Sequence, residues 1–359
     1  VLLVGIKLFI KEYDRFINHY HGQTPFVIVD EATIVAGIDS QSHEKVHDFM
    51  AARPAVLLSG TPANKPGDAY GLMKMTAPGS YRNLKRFNDE HVAATDFYGR
   101  PVEWKNLDLL KANLMKNSFR VLFEDMYPLA EKPRYVTIEY DLDPKHYKLY
   151  KRLAEEQMLT LPDGDKIDAT SASRLLHALG QIIVNPAHFS GDDKMVSETV
   201  HMIDEKLQEL GDGKLMVFAY YRMSVANITK SLAKYGAVAY NSDISEGQKH
   251  KNLQRFINDP KCRVIVIQFV SGGKGLDGAQ HVCNHAFFAE PCEQPRDFHQ
   301  CVARLKRIGQ KKQVLVMLGI AGDTMQARRT RLLLKNDTII NKVIRNAIDL
   351  RKEIFGQPD

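Results

Sequence analysis

Short apolar runs alternate with amphipathic stretches along much of the chain, and the two patterns imply different elements. Phe26–Asp30, Ala55–Ser59, Leu215–Tyr220, Ala237–Asn241, Arg263–Phe269, Asn284–Ala289 and Gln313–Gly319 read as strands. Several carry no polar alternation, the signature of strands covered on both faces of a parallel sheet. Between them, Ser224–Lys234, Glu246–Asn258 and Arg296–Arg307 read as helices; in the first, Val225, Ile228, Leu232 and Ala233 fall on one face. This alternation predicts an α/β fold with doubly wound parallel sheets.

The pattern changes between Gly60 and Leu215. That stretch reads as helical or irregular, with one strand at Tyr135–Tyr140 and a break flanked by Pro128 and Pro133. The predicted organisation is therefore a first α/β lobe with a helical insertion over 1–133, a fuller α/β lobe over 134–320, and basic C-terminal helices over 321–359. In the last part, Leu332–Leu334, Ile339, Ile340, Val343, Ile344, Ala347 and Ile348 read as a packing face. Arg328, Arg329, Arg331, Lys335, Lys342, Arg345, Arg351 and Lys352 read as a basic outer face.

Composition narrows the classes. With 359 residues, 44% hydrophobic and 26% charged, the chain is too apolar for a disordered tail and long enough for two domains. No apolar run nears the ~18 residues of a membrane span. Val264–Val270 is the best candidate and is strand-length, so no membrane partner is expected. The N-terminal VLLVGIKLFIKEYDRF has no basic leader or small-residue cleavage site. The net charge of +6 points only weakly to nucleic acid. Cys262, Cys283, Cys292 and Cys301 form no C-x-x-C pair, which argues against a common zinc site and for free thiols in a reducing compartment. The expected location is cytoplasmic, in a bacterium or a phage-infected host, or nuclear in a eukaryote.

Four motifs carry chemistry, three of them at strand ends. FVIVDEAT places Asp30 and Glu31 at the carboxyl end of a strand, where α/β sheets bind ligands. Such a pair can order a magnesium-bound water shell and an attacking water, or simply cap the next helix. LLSGTP brings Ser59 and Thr61 to the next strand end, or is an ordinary turn. SGGKGLDGA, Ser271–Ala279, is a glycine-rich loop that can bring amides to phosphates, or a flexible turn. QCVARLKRIGQ puts Arg304 and Arg307 three apart on a predicted helix, a shared face that suits a phosphate or remains a solvated basic surface. Tyr81–Phe87 and Lys145–Arg152 interleave aromatics with cations, and both read better as amphipathic helix surface than as nucleic-acid contacts.

Together, from Phe26 onward, these segments resemble the Swi/Snf-type branch of superfamily-two helicases and translocases. DEAT resembles motif II, LLSGTPANKPGDAYGLMKMTAPGSYRNLKRF motif III and its following signature, and KHYKLYKRL the start of the second domain. KLMVFAYY resembles motif IV, SGGKGLDGA motif V and QCVARLKRIGQKKQV motif VI. The resemblance implies two RecA-like lobes with ATP in their cleft, the first N-terminally truncated here, and C-terminal helices that brace the lobes. It implies ATP and Mg2+ as cofactors and duplex or branched DNA as partner, with a monomer favoured. Asp30 would organise magnesium through water, Glu31 would activate water, and Arg304 and Arg307 would reach the γ-phosphate. Gly273, Gly275, Asp277 and Gln300 would lie at the nucleotide. Ser59, Thr61, Asn64, Ser271 and Lys274 would face the nucleic acid. The function so implied is an ATP-dependent DNA motor in repair, recombination or replication. The alternatives are a non-enzymatic DNA-binding module derived from one, or an RNA helicase.

The chain departs from the family pattern. Thr33 replaces a His, Asp277 an Asn and Lys306 a His, and the expected Trp is missing from Glu290–Pro295. Coupling residues vary while the hydrolysis residues remain. No G-x-x-x-x-G-K-[ST] phosphate loop occurs: Gly213–Lys214 and Gly273–Lys274 both fail the pattern. With Val at position 1, the expectation is a fragment that has lost an upstream P-loop and cannot by itself hydrolyse ATP.

Overall fold

The computed structural model describes the chain except residues 61, 62, 64, 122, 128–130, 161–165, 170, 270–275, 293 and 345–359; side chains are also left out at 124, 159–160, 166–168 and 335–344. The chain divides into two compact units. The first runs from Val1 to Pro128 and takes in the C-terminal helix from Asn336; the second runs from Leu129 to Lys335.

In chain order the strands are β1 (Val27–Val29), β2 (Ala55–Leu57), β3 (Val92–Thr95), β4 (Pro101–Trp104), β5 (Arg134–Tyr140), β6 (Met158–Thr160), β7 (Lys166–Asp168), β8 (Leu215–Ala219), β9 (Val238–Tyr240), β10 (Val264–Gln268), β11 (His285–Phe288) and β12 (Leu315–Ala321). The second unit is built on a six-stranded sheet in the order β5-β12-β11-β8-β10-β9, every pairing parallel. All five residues of β8 are buried. Its pleat divides them: Leu215, Val217 and Ala219 enter one core, Met216 and Phe218 the other. In β10, Val264 and Val266 join the first core, Ile265 and Ile267 the second. Their continuous apolar sequence is thus explained by cover on both faces.

The helix Glu246–Asn258 coincides with its predicted span and starts where Ser245 Oγ accepts the Gln248 N–H at 3.2 Å. The helix predicted over Arg296–Arg307 is shorter, ending at Val302. The C-terminal segment forms one helix, Met325–Ile344, among the described residues, with Leu333 and Leu334 buried at its middle.

Among the described residues the parallel sheet of the first unit has two strands, with Val27, Ile28 and Val29 opposite Ala55, Val56 and Leu57. Helices cover one of its faces, where Val27, Val29, Ala55 and Leu57 pack against Val35, Val46, Met50 and Leu72. The insertion also contains the antiparallel hairpin β3–β4, and the second unit the hairpin β6–β7, neither predicted. The four cysteines are buried and free. No helix is long and apolar enough to cross a membrane, among the described residues.

Candidate nucleotide site

In the first unit the acidic motif closes β1. Leu58 N donates to Val29 O at 2.8 Å and Ala32 N to Leu58 O at 2.9 Å, so the two strand ends are laced together. Asp30 and Ser59 consequently emerge at one sheet edge. Asp30 and Glu31 are exposed and Ser59 is half-buried. Glu31 adopts the left-handed conformation, φ 50° and ψ 50°, which few non-glycine residues do. Its N–H donates to Asp30 Oδ1 at 2.9 Å. The strand then turns into a 3-10 helix, Ala32–Val35, rather than an α-helix. A left-handed residue costs roughly 1–3 kcal/mol and persists only where its surroundings impose it.

The helix Pro66–Thr76, which follows the LLSGTP motif, packs against the end of this turn. A Cβ placed on Gly71 would stand 1.9 Å from Ala36 O. Only glycine lets this helix lie directly on the turn after Asp30-Glu31. The side-chain hydroxyl of Thr33 is buried in that turn with no hydrogen-bond partner among the described residues. Thr61 and Asn64, predicted beside Ser59, lie outside the described residues.

In the second unit the described residues among those predicted are Asp277, Gln300, Arg304 and Arg307. The helix Pro295–Val302 carries half-buried Gln300 and stops four residues after Phe298 has been sealed into the core. Arg304 and Arg307 therefore do not share a helix face, as their spacing predicts. They lie in successive turns, in which Arg304 N donates to Cys301 O at 3.1 Å and Arg307 N to Leu305 O at 3.0 Å. The turns are pinned by fully buried Leu305 and by Gly309 at φ 93°, whose added Cβ would stand 2.2 Å from the His281 ring. Gln310 Nε2 completes the clamp by donating to Cys283 O at 2.8 Å. Arg307 Nη1 sits 3.3 Å from Asp277 Oδ1. The structure thus joins two predicted site residues, one from motif V and one from motif VI. Ser271, Gly273, Lys274 and Gly275 fall outside the described residues.

The sheet order reverses around β8, with β10 on one side and β11 on the other. That switch point is where open α/β sheets form their ligand crevice. Glu290, just past β11, spans it. Its carboxylate accepts the N–H groups of Tyr220 and Tyr221 at 2.6 and 3.0 Å and the Ser224 hydroxyl at 2.6 Å. Burial pushes its pKa up to about 7, against the lowering effect of these donors and of Arg329. Sequence reasoning overlooked Glu290; an acid immediately after an apolar strand was the available signal. It also overlooked buried His146, which bonds Glu198 at 2.6 Å and the Ile182 carbonyl at 2.9 Å. Burial works to raise the Glu198 pKa, but the His146 bond and the Asp143 amide leave it lowered overall.

The aromatic–basic stretches behave as surface helices with buried aromatic sides. Tyr81 and Phe87 enter a core, while Lys85 and Arg86 pair with Asp89 and Glu90 at 2.9 and 3.8 Å. The helix Pro144–Glu156 likewise buries His146, Tyr150 and Leu153. No cluster of three or more His, Cys, Asp or Glu side chains stands ready to cage a metal among the described residues. The exposed Asp30 fits a magnesium ion held through water and nucleotide oxygens, the ordinary mode for that ion.

Comparison with known proteins places the sequence among relatives. The family described as SNF2-related domain matches residues 1–187, and the Helicase conserved C-terminal domain matches residues 198–309. The human DNA annealing helicase and endonuclease ZRANB3 is 23% identical over 90% of this chain and 30% of its own length. An uncharacterized ATP-dependent helicase of Mycoplasma pneumoniae is 23% identical over 96% of this chain and 32% of its own length. The chain therefore spans about a third of these relatives. The Sulfolobus solfataricus SWI2/SNF2 ATPase core in complex with dsDNA resembles it over 90% of this chain and 73% of its own, with 19% identity and a TM-score of 0.43. With the first match extending over residues 1–187 of 359, the chain belongs to the family of SNF2-related domains.

Proposed function

We propose that this chain is the motif II to motif VI part of an ATP-dependent DNA translocase or helicase. The observation that carries the reading is the Asp30-Glu31 pair at the carboxyl end of β1, with Glu31 in a left-handed backbone. Strain of this kind concentrates at functional sites. In this reading Asp30 orders the magnesium-bound water shell and Glu31 holds the attacking water. Magnesium, when bound, neutralises phosphate charge. Arg304 and Arg307 stabilise charge on the γ-phosphate, a role that in other systems is worth roughly 10³–10⁵ in rate. Gln300 positions nucleotide, Asp277 pairs with Arg307 when no phosphate is bound, and Ser59 relays the nucleotide state towards DNA.

The 359 residues contain no G-x-x-x-x-G-K-[ST] loop. We accordingly expect the chain alone to turn over ATP at background rate, and turnover to require a phosphate-binding loop joined upstream of Val1. The test is ATP hydrolysis by such an extended chain with and without DNA. DNA-stimulated turnover, abolished by Glu31→Gln with nucleotide affinity retained, is the expected result. Turnover indifferent to every DNA form would refute the proposal.

A further inference from the structure

The insertion of the first unit carries a hairpin that the nucleotide site does not use. Hairpin β3–β4 pairs Val92 with Trp104, Ala94 with Glu103 and Thr95 with Pro101. Its root is fixed. Trp104 packs 6.4 Å from the fully buried Phe87 ring, Lys105 N donates to His91 O at 2.8 Å, and Asn106 Nδ2 donates to Glu90 O at 2.7 Å. Behind it, the Tyr81 hydroxyl bonds His91 Nε2 at 2.6 Å and accepts from Asn113 Nδ2 at 2.9 Å.

The tip is equally ordered. Asp96 Oδ1 accepts the N–H groups of Tyr98 and Arg100 at 2.9 and 2.8 Å. Asp96 N donates to Arg100 O at 2.8 Å, and Gly99 N to Asp96 O at 2.9 Å. Gly99 supplies the positive φ, +74°. The turn thus depends on Asp96 and Gly99 alone, and its geometry makes no demand on residues 97 and 98. Yet those positions carry Phe97 and Tyr98, which are 97% and 78% exposed. The two rings stand 5.4 Å apart and nearly perpendicular, and the Arg100 guanidinium lies 5.6 Å from the Tyr98 ring centre.

We propose that the Phe97-Tyr98-Arg100 tip is a stacking pin for an unpaired DNA base, such as a fork or a strand end presents. This rests on the DNA-motor reading. Because the rings are nearly perpendicular, one of them at a time can lie flat on the face of a base, and an unpaired base exposes that face where a closed duplex does not. Aromatic side chains stack on any base, which makes the contact sequence-tolerant. Arg100 brings a cation within reach of the adjoining phosphate. A protein partner would need a surrounding complementary surface, and the tip's flanks offer only Val102 as a further exposed large apolar residue.

The test is fluorescence anisotropy of the chain with a labelled single strand, a forked duplex and a blunt duplex. The variant F97A/Y98A should lose between about fivefold and about a hundredfold in affinity for the single strand and the fork, and stay within about twofold on the blunt duplex. F97W/Y98W should bind as the parent does. A 2-aminopurine at the fork junction should report stacking with the parent and lose it with F97A/Y98A. Trp104, the chain's one tryptophan, sits at the hairpin root, so unchanged emission in F97A/Y98A establishes that the hairpin is folded. Equal losses on all three DNAs, or none on the fork and single strand, would overturn the pin while leaving the motor reading intact. Self-association of the parent that F97A/Y98A abolishes would also overturn it, assigning the tip to a second copy. A parent chain that binds no DNA at all would overturn both.

Discussion

Strands β1 and β8 have the same kind of sequence and opposite surroundings. VIV and LMVFA are both unbroken apolar runs. In β8 every residue is 0% exposed, because helices pack on both faces and strands on both edges. In the first unit, Ile28 is 61%, Val56 40% and Leu58 47% exposed, all on the face opposite the helices. An apolar run therefore records what a strand is suited to, while the amount of cover depends on the elements around it. A parallel two-stranded sheet with one bare face is also marginal by itself. The left-handed Glu31 and the Gly71 contact thus sit in the less buried of the two units, as sites that must respond to a ligand generally do.

The largest effect should come from the core of β8. Phe218→Ala removes a fully buried ring and should destabilise the second unit by about 3–5 kcal/mol. The matching change on the bare face, Ile28→Ala, should stay within about 0.5 kcal/mol. Urea unfolding followed at two wavelengths would read both. A loss at Ile28 comparable with that at Phe218 would show that the exposed face is covered in solution and would remove the contrast.

Gly71→Val sharpens the comparison from within the first unit. A branched side chain cannot occupy the space of the Ala36 carbonyl, so the helix must move away from the acidic turn. The expected penalty is about 3 kcal/mol, confined to the first unit's transition. Coincident loss in the second unit would mean that the two units unfold together.

Glu290→Ala should remove about 2 kcal/mol from the second unit, because two backbone amides lose their acceptor. Its pH dependence separates charge from shape. The folded-state pKa of about 7 lies above the ordinary 4.5, so the folded chain holds the proton more tightly. That contribution is complete below about pH 4.5 and fades as pH rises towards 7. Glu290→Gln keeps an acceptor and carries no charge, so the parent's stability relative to this variant should fall across the window, while half-buried His285 titrates alike in both. A parent-minus-variant difference that rises with pH there would contradict the assigned burial.

Much of this architecture was legible because parallel strands and their connecting helices are written in local patterns. The six-stranded sheet follows from apolar runs buried on both faces, and Glu246–Asn258 from its Ser245 cap. Asp30 and Ser59 were placed at one edge because sequential strands of such sheets pair. Arg304 and Arg307 lack the shared helix face that their three-residue spacing implies, because the helix ends at Val302. The residues after Val302 instead follow the contacts of Leu305 and Gly309, which are set by residues far away in sequence. The hairpin β3–β4 was missed because Val92–Thr95 and Pro101–Trp104 are short and only weakly alternating. The signal was the DFYGR turn itself, Asp and Gly at turn positions around two aromatics.

The smallest expected effect concerns the pair that joins motifs V and VI. Arg307 and Asp277 are 3.3 Å apart, with side chains 41% and 77% exposed, so the pair should contribute no more than about 1 kcal/mol and less in high salt. Asp277→Asn should leave the second unit's unfolding midpoint nearly unchanged. Its consequence should appear in ligand affinity instead. Arg307 cannot give the same donors to Asp277 and to a phosphate, so the ion pair competes with anion binding. Removing the charge should tighten binding of a fluorescent ATP analogue by about two- to fivefold, a gain within the strength of one exposed pair. The gain should vanish in the background of Arg307→Ala. If Asp277→Asn weakens nucleotide binding with Arg307 intact, the carboxylate is positioning the arginine for its ligand, and the pair belongs to the working site rather than competing with it.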